Sequence, residues 1–412
     1  MSDFIKINAD LHLHGLYSGA VSHEMIPNMI AKQAPYKGLQ LVGTADILNG
    51  RWIKLIKEQL KTLNNGLLEH ENGTKFVLQT EVEDNNRVHH IILFPEFSKV
   101  EEVRETFRKK CKDLDVEGRP KIWMNGEEIA DICIKADCLL GFSHGFTPYF
   151  SLYSKFNSYK QCYGKYWDKI YFMELGLSAD TNMADRISEL HELTFTSNSD
   201  AHSPWPNKMG REFNEFLIKE ISFDEVKKVL QRKDGRKCTL NIKFNPLEGK
   251  YNKTRCTGCL TFFEPEEAIK LNWRCPKCKK PIKKGVDYRI HELADLPAEK
   301  HPEHRPKCIH IIPLSEIIAL ALDIKNAWSF KVQDEWKKYI DRFGNEIKVL
   351  LEADYSELSK VNEQVSKYIR YFREDKIKYI PGGAGVYGQL IKPGEEVKIE
   401  TFKVKQRSLE EF

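Results

Sequence analysis

Polar residues able to bind a metal recur at the ends of successive short apolar runs, and this constrains the fold more than any other feature of the chain. Phe4–Leu11 reads as a strand and leads into Asp10-Leu11-His12-Leu13-His14. Alternation along a strand puts His12 and His14 on one side. Gly38–Thr44 leads to Asp46, Phe76–Val82 carries Glu81, and Val88–Phe94 opens with His89-His90. Cys138–Phe142 leads to His144, Ile170–Leu175 carries Glu174, and Leu193–Ser197 leads to Asp200 and His202. Between these runs, Glu24–Tyr36, Trp52–Leu63, Val100–Leu114 and Glu127–Ala136 read as helices, joined by Ala184–Leu190 and Phe223–Gln231. Such alternation predicts parallel strands with crossover helices. Ligands at the carboxyl ends of successive strands are the pattern of a β/α barrel. An open sheet would collect them at one switch point.

The set holds imidazoles and carboxylates but no thiolates, which suits zinc, manganese, magnesium or iron. It is too large for one ion and predicts two or three. A polynuclear site of this kind serves phosphoester hydrolysis, one ion generating hydroxide and the others holding the phosphate. Taken singly, each residue could equally be a cap or a core group.

Asp10-Leu11-His12-Leu13-His14, Glu81, His90, His144, Glu174 and Ser199-Asp200-Ala201-His202 resemble the motifs of the polymerase-and-histidinol-phosphatase (PHP) phosphoesterase superfamily. The resemblance implies an α/β fold, a distorted seven-stranded β/α barrel with a trinuclear metal centre. Its expected ligands here are His12, His14, Asp46, Glu81, His90, His144, Glu174, Asp200 and His202, with Asp200, His202 and Glu81 as catalytic residues. His90 is preferred to His89 because it directly precedes the apolar run Ile91-Ile92-Leu93. Two departures stand out. The superfamily's Thr-Asp-His reads Thr44-Ala45-Asp46 here, and its third histidine is replaced by Ala20, with His23 slightly beyond. One metal position is therefore expected to be poorer in ligands or filled differently.

Between His144 and Glu174 lies a stretch of aromatics interleaved with lysines, from Phe146 to Trp167. It suits either base stacking with phosphate contacts or a helix packed on the barrel. Past residue 240 the character changes. Cys256-Thr257-Gly258-Cys259 and Cys275-Pro276-Lys277-Cys278, 15 residues apart, predict a zinc ribbon in which Cys256, Cys259, Cys275 and Cys278 hold one structural Zn2+. Lysines surround the second pair. Leu314–Leu322, Ala327–Ile340, Ile347–Glu352, Tyr355–Lys360 and Val361–Phe372 read as helices. The stretch Ile380-Pro381-Gly382-Gly383-Ala384-Gly385-Val386-Tyr387-Gly388 fits either a phosphate-cradling loop or a plain hairpin turn. No Walker pattern follows it. The predicted units are a barrel over 1–240, a ribbon domain over 241–310, and a small helical C-terminal domain with the glycine-rich loop over 311–412.

This order of parts resembles the endonuclease Q family of DNA-repair enzymes over essentially the whole chain. The resemblance implies cleavage of single- or double-stranded DNA on the 5′ side of uracil, hypoxanthine, xanthine or an abasic site. Asn198 and Ser178 are the expected base readers, since Asn198 lies two residues before Asp200 and carries both a donor and an acceptor. Gly382, Gly383, Gly385 and Tyr387 complete the expected substrate surface. A sliding clamp is left as an open further partner. The competing readings are a PHP phosphatase acting on small phosphomonoesters and a non-catalytic DNA-binding protein with a degenerate barrel. The net charge of +4 on 412 residues excludes a polycation, so DNA contacts must come from local clusters. The absence of a long apolar run or a basic-then-apolar start predicts no membrane span and no secretory signal. Scattered single cysteines suit a reducing, cytoplasmic setting.

Overall fold

The computed structural model describes residues 3–397, 399, 401 and 402. Its largest sheet has twelve strands, ten of them in one continuous path. In chain order these are β1 (Ile5–Asp10), β2 (Leu41–Gly43), β3 (Lys75–Glu83), β4 (His89–Phe94), β5 (Leu139–Phe142), β6 (Phe172–Glu174), β7 (Thr194–Thr196), β8 (Phe213–Ile218), β9 (Lys237–Phe244) and β10 (Lys307–Ile311). Strands β1, β2 and β3 are parallel, β4 is antiparallel to both neighbours, and β5, β6 and β7 are parallel again. The curl closes just past the strand ends. Leu13 bridges Ala201, and the His14 amide donates to the Ala201 carbonyl at 3.1 Å. The result is a seven-stranded barrel distorted by one reversed strand.

Most barrel strands are buried on both faces, which is why they read as near-continuous apolar runs. One core, filled by Ile7, Ala9, Leu41, Val77, Ile91, Leu93 and Phe172, also packs Val226, Val229 and Leu230 of the helix Phe223–Gln231. The opposite face packs Val42, Phe76, Leu78, Ile92, Phe94 and Phe142 against the surrounding helices.

On the outer side of β1, strands β8 and β9 continue the sheet antiparallel, and β10 adds parallel to β9. These three strands were not anticipated. Their faces carry buried polar residues, Asn214, Asn241 and Lys243, which break the apolar pattern. The expected boundaries at 240 and 310 fall inside β9 and β10, so secondary structure does not break there. The expected helix Ala184–Leu190 is also replaced, by the short helix Thr181–Ala184 and a 3-10 turn Ser188–Glu192.

The ribbon is built from the short strands Arg255–Cys256, Phe262–Phe263 and Ile282–Lys283. The helices Leu314–Ala321, Phe330–Phe343 and Glu363–Arg373 dock on the barrel through a fully buried ion pair. Lys37 Nζ lies 2.7 Å from Glu346 Oε1, while Glu346 also accepts from the Leu314 amide at 3.0 Å and Trp336 Nε1 at 2.9 Å.

Candidate active site

The barrel mouth gathers three overlapping sets of donor atoms: His12, His14 and Glu81; His14, Asp200 and His202; Glu81, His89 and His144. Glu81 and His14 are each shared between two sets. Glu81 carboxylate oxygens lie 3.5 Å from His12 Nε2, 3.4 Å from His14 Nε2, 3.3 Å from His89 Nδ1 and 3.2 Å from His144 Nε2. Asp200 Oδ1 is 3.2 Å from His14 Nε2. His12 Nε2, His14 Nε2, Glu81 Oε1 and Asp200 Oδ1 are buried without a hydrogen-bond partner. Buried polar atoms are rarely left so, and several converging on one point fit divalent cations.

Electrostatics tell the same story. Burial alone would push the His12 imidazole down, but the Glu174 and Glu81 carboxylates outweigh it and raise it to about 9. His14 is likewise held well above the ordinary imidazole value, by Asp200, Asp46 and Glu81. Burial would raise Glu81, yet the surrounding histidines hold it well below the usual carboxylate range. The site is an excess of anionic donors that any positive charge would stabilise. Backbone strain marks the same place. Asp46, His144 and Asp200 sit at φ of 22°, 29° and 46°, conformations that side-chain-bearing residues seldom adopt.

Several expected residues occupy other positions. Asp46 and Glu174 stand one layer behind the histidines. Asp46 Oδ1 lies 3.2 Å from His14 Nδ1, and its Oδ2 accepts from the Gly15 amide at 2.6 Å and Ser18 Oγ at 2.8 Å. Glu174 Oε2 lies 2.8 Å from His12 Nδ1. Each carboxylate thereby fixes a ring and aims its Nε2 inward, the usual support of a metal-binding histidine. His90 is corrected to His89. In the β3–β4 register His90 faces Val82 and points away, with Nδ1 2.8 Å from the Tyr163 hydroxyl, while His89 faces Glu83 and the site. Both faces of β4 are buried, so no polar alternation distinguished the two.

Asn198 borders the cavity at the barrel mouth, but its amide is already bonded to protein groups. Its Oδ1 accepts from the Leu11 amide at 2.9 Å and Asn214 Nδ2 at 3.1 Å, and its Nδ2 donates to Glu174 at 3.1 Å. The glycine-rich stretch is a hairpin between β11 (Lys378–Ile380) and β12 (Gln389–Ile391), not a phosphate cradle. Its amides are committed: Gly382 to the Leu247 carbonyl, Gly385 to Lys250, and Gly383 to Val386 within the turn. Gly382 and Gly388 allow the hairpin to pack directly on backbone of the 247–249 segment. That contact delivers Tyr387 to the mouth of the barrel.

There, a cavity of about 520 Å3 opens onto His89, His144, Asp200 and His202. Its walls add Arg119, Lys208, Arg211, Lys250, Tyr251, Ser178 and Tyr387. Arg119 Nη1 reaches Glu81 Oε2 at 3.3 Å, and Arg211 Nη1 donates to the Tyr387 hydroxyl at 3.2 Å. Burial would raise the Tyr387 phenol, but Arg211, Lys208 and Lys250 pull it below its ordinary value. The sequence offered no signal for these cations, which come from three separate parts of the chain, around 119, 208–211 and 250. Of the aromatic stretch, Phe146, Tyr153, Tyr159 and Tyr163 are core residues, whereas Tyr149 is exposed with Lys283 of the ribbon 3.3 Å from its ring centre. In the ribbon the four sulfurs cluster, with Cys256–Cys278 at 3.4 Å and Cys259–Cys275 at 3.5 Å, a set that fits one tetrahedral zinc.

Two solved structures match this architecture over nearly its whole length. One is the lesion-specific endonuclease PfuEndoQ of Pyrococcus furiosus, at TM-score 0.89 and 43% identity over 96% of this chain and 98% of that one. The other is an endonuclease Q bound to a 27-mer duplex with an abasic lesion at the active site, at TM-score 0.91 and 42% identity over 97% and 99%. The chain belongs to the endonuclease Q family. Sequence comparison adds further similar proteins. Residues 313–376 match the model of the MJ0043 C-terminal domain. Protein MJ0043 of Methanocaldococcus jannaschii is 46% identical over 250 residues, 60% of this chain and 31% of that protein, so the match spans about a third of that relative's length. YqxK of Bacillus subtilis is 29% identical over 410 residues, 94% of this chain and all of that one.

Proposed function

We propose that this chain is a metal-dependent DNA endonuclease that hydrolyses the phosphodiester 5′ of deaminated bases and abasic sites. The observation that carries the reading is one cavity joining a metal-fit donor cluster to Arg119, Lys208, Arg211, Lys250, Tyr251 and Tyr387. That combination suits a polyanion with aromatic bases. The abasic duplex held by a family member supports the same substrate class. Divalent ions bound at such a cluster activate water and offset charge on the leaving oxygen.

In this reading His12, His14, Glu81, His89, His144, Asp200 and His202 hold the ions, which would be zinc, manganese or magnesium. Asp46 and Glu174 keep His14 and His12 aimed. Arg119 and Arg211 contact the phosphates flanking the scissile bond, and Tyr251 and Tyr387 stack on a base or sugar that has left the helix. Ser178, on the cavity wall, is the remaining candidate to read the lesion edge. The contacts of Asp46 to His14, Gly15 and Ser18 support a positioning role for it, so its departure from the superfamily pattern does not by itself speak for a degenerate barrel. The relatives lend a sliding-clamp partner no support.

The test is incision of end-labelled duplexes carrying uracil, hypoxanthine, an abasic site or no lesion, with Zn2+, Mn2+ or Mg2+ added. The expected result is a nick 5′ of the lesion leaving a 3′ hydroxyl and a 5′ phosphate. Turnover of a chromogenic phosphomonoester without incision of any duplex would overturn the proposal.

A further inference from the structure

Behind the barrel wall, on the opposite face of β4 from the active site, a second group of donors meets. Asp84, His90 and Cys162 bring one carboxylate, one imidazole and one thiol within 4.8 Å of one another. All three are buried. Asp84 Oδ2 and His90 Nε2 face each other at 3.3 Å, and neither has a hydrogen-bond partner. The remaining groups are already placed as supports. Asp84 Oδ1 accepts from the Asn86 and Val88 amides, each at 2.8 Å. His90 Nδ1 lies 2.8 Å from the Tyr163 hydroxyl, which fixes the ring with Nε2 aimed at Asp84. Cys162 Sγ is seated where a Cβ on Gly126 would come within 2.5 Å, so a glycine makes room for the sulfur.

We propose that Asp84, His90 and Cys162 form a buried three-donor metal site for a zinc-class divalent ion, separate from both the barrel mouth and the ribbon. Carboxylate, imidazole and thiolate together are a borderline-soft donor set that suits Zn2+ or Co2+ better than Mg2+ or Ca2+. Charge also balances. One carboxylate and one thiolate neutralise a dication, so the loaded site puts no net charge into the interior, whereas a lone buried carboxylate oxygen is costly. Binding displaces the thiol proton as Cys162 takes up the ion as a thiolate.

The site has a mechanical consequence. It clasps the turn entering β4 to the helix Tyr159–Tyr163. His89 is the next residue on that strand and points the opposite way, into the active site. A clasp on His90 therefore holds His89 in register, which makes Asp84, His90 and Cys162 positioning residues for the mouth.

The test is 113Cd NMR of full-length protein with its zinc exchanged for cadmium, because the 113Cd shift moves downfield with each thiolate ligand. Three classes of resonance are expected: a far-downfield four-thiolate signal from the ribbon, upfield thiolate-free signals from the barrel, and an intermediate single-thiolate signal. Cys162→Ser should remove the intermediate signal, lower bound metal by one ion per chain and leave the ribbon signal in place. The wild-type spectrum decides the matter even if the variant folds poorly. A ribbon signal without any single-thiolate resonance overturns the proposal, and so does an intermediate signal that persists in folded Cys162→Ser. The readout does not depend on incision, so failure of the nuclease reading leaves this result intact.

Discussion

Asp46→Asn separates the two roles an acid at this place could have. As a direct ligand, Asp46 would take an ion with it when neutralised. As the support seen here, it orients His14 through a 3.2 Å contact to Nδ1 and accepts from Gly15 and Ser18 on its other oxygen. An asparagine keeps the size but can satisfy only one side. If its oxygen faces His14, its amide group confronts the Gly15 N–H, donor against donor. If it turns round, His14 loses its acceptor. Loss of such a support costs a metal site about 10–100-fold in affinity or activity, roughly 1.4–2.8 kcal/mol at about 1.4 kcal/mol per factor of ten. The expected result is an unchanged number of ions per chain, measured by inductively coupled plasma mass spectrometry at saturating metal. Affinity for Mn2+, by calorimetric titration, should fall within that range, with a parallel fall in single-turnover incision. A barrel that loses one ion outright would refute the supporting role, and unchanged affinity would refute any role.

Four further outcomes follow from the same geometry. Asn198→Ala removes the brace on Glu174, so incision should fall to a similar extent at uracil, hypoxanthine and abasic sites; a loss confined to the two bases would mean that the amide reads them after all. Cys256→Ser with Cys259→Ser should release the ribbon zinc and unfold that module, whose metal contributes on the order of 10 kcal/mol, weakening DNA binding while the barrel keeps its ions; unchanged affinity in a gel-shift titration would remove the ribbon from the DNA surface. Lys37→Met strands the buried Glu346 carboxylate and should cost about 3–5 kcal/mol in urea unfolding, much of it regained by pairing it with Glu346→Gln. Burial would lower His310, but its contact with Asp180 at 3.2 Å raises it from 6.5 to about 9. A group raised on folding stabilises fully below its unfolded value and loses that effect as pH rises through its folded value. His310→Gln should therefore flatten the decline in metal-loaded stability from about pH 6.5 to 9, as followed by thermal melts.

The barrel, the four-cysteine ribbon and most of the donor residues that gather at the mouth were legible in the chain's own pattern. Short apolar runs, each ending in a histidine or an acid, leave few alternatives once strand periodicity is applied. Helices such as Phe223–Gln231 were legible from spacing alone. The two Cys-x-x-Cys pairs needed no tertiary information, because ligand spacing and loop length define the module. The rest depends on how the chain packs, for three physical reasons. Where a strand is buried on both faces, hydrophobicity carries no sign of direction. Only the β3–β4 register could show that His89 enters the site while His90 leaves it. Whether an acid binds metal or steadies an imidazole depends on its placement in the fold, so the sequence does not reveal that Asp46 and Glu174 contact the Nδ1 atoms of His14 and His12, or that Asn198 bonds to Glu174. Finally, Arg119, the Lys208–Arg211 segment, Lys250 and Tyr387 come from four distant parts of the chain, and Tyr387 joins them because the glycine hairpin docks on the segment after β9. A surface assembled from distant loops has no linear pattern, and the cavity beside the donor cluster exists only in the folded chain.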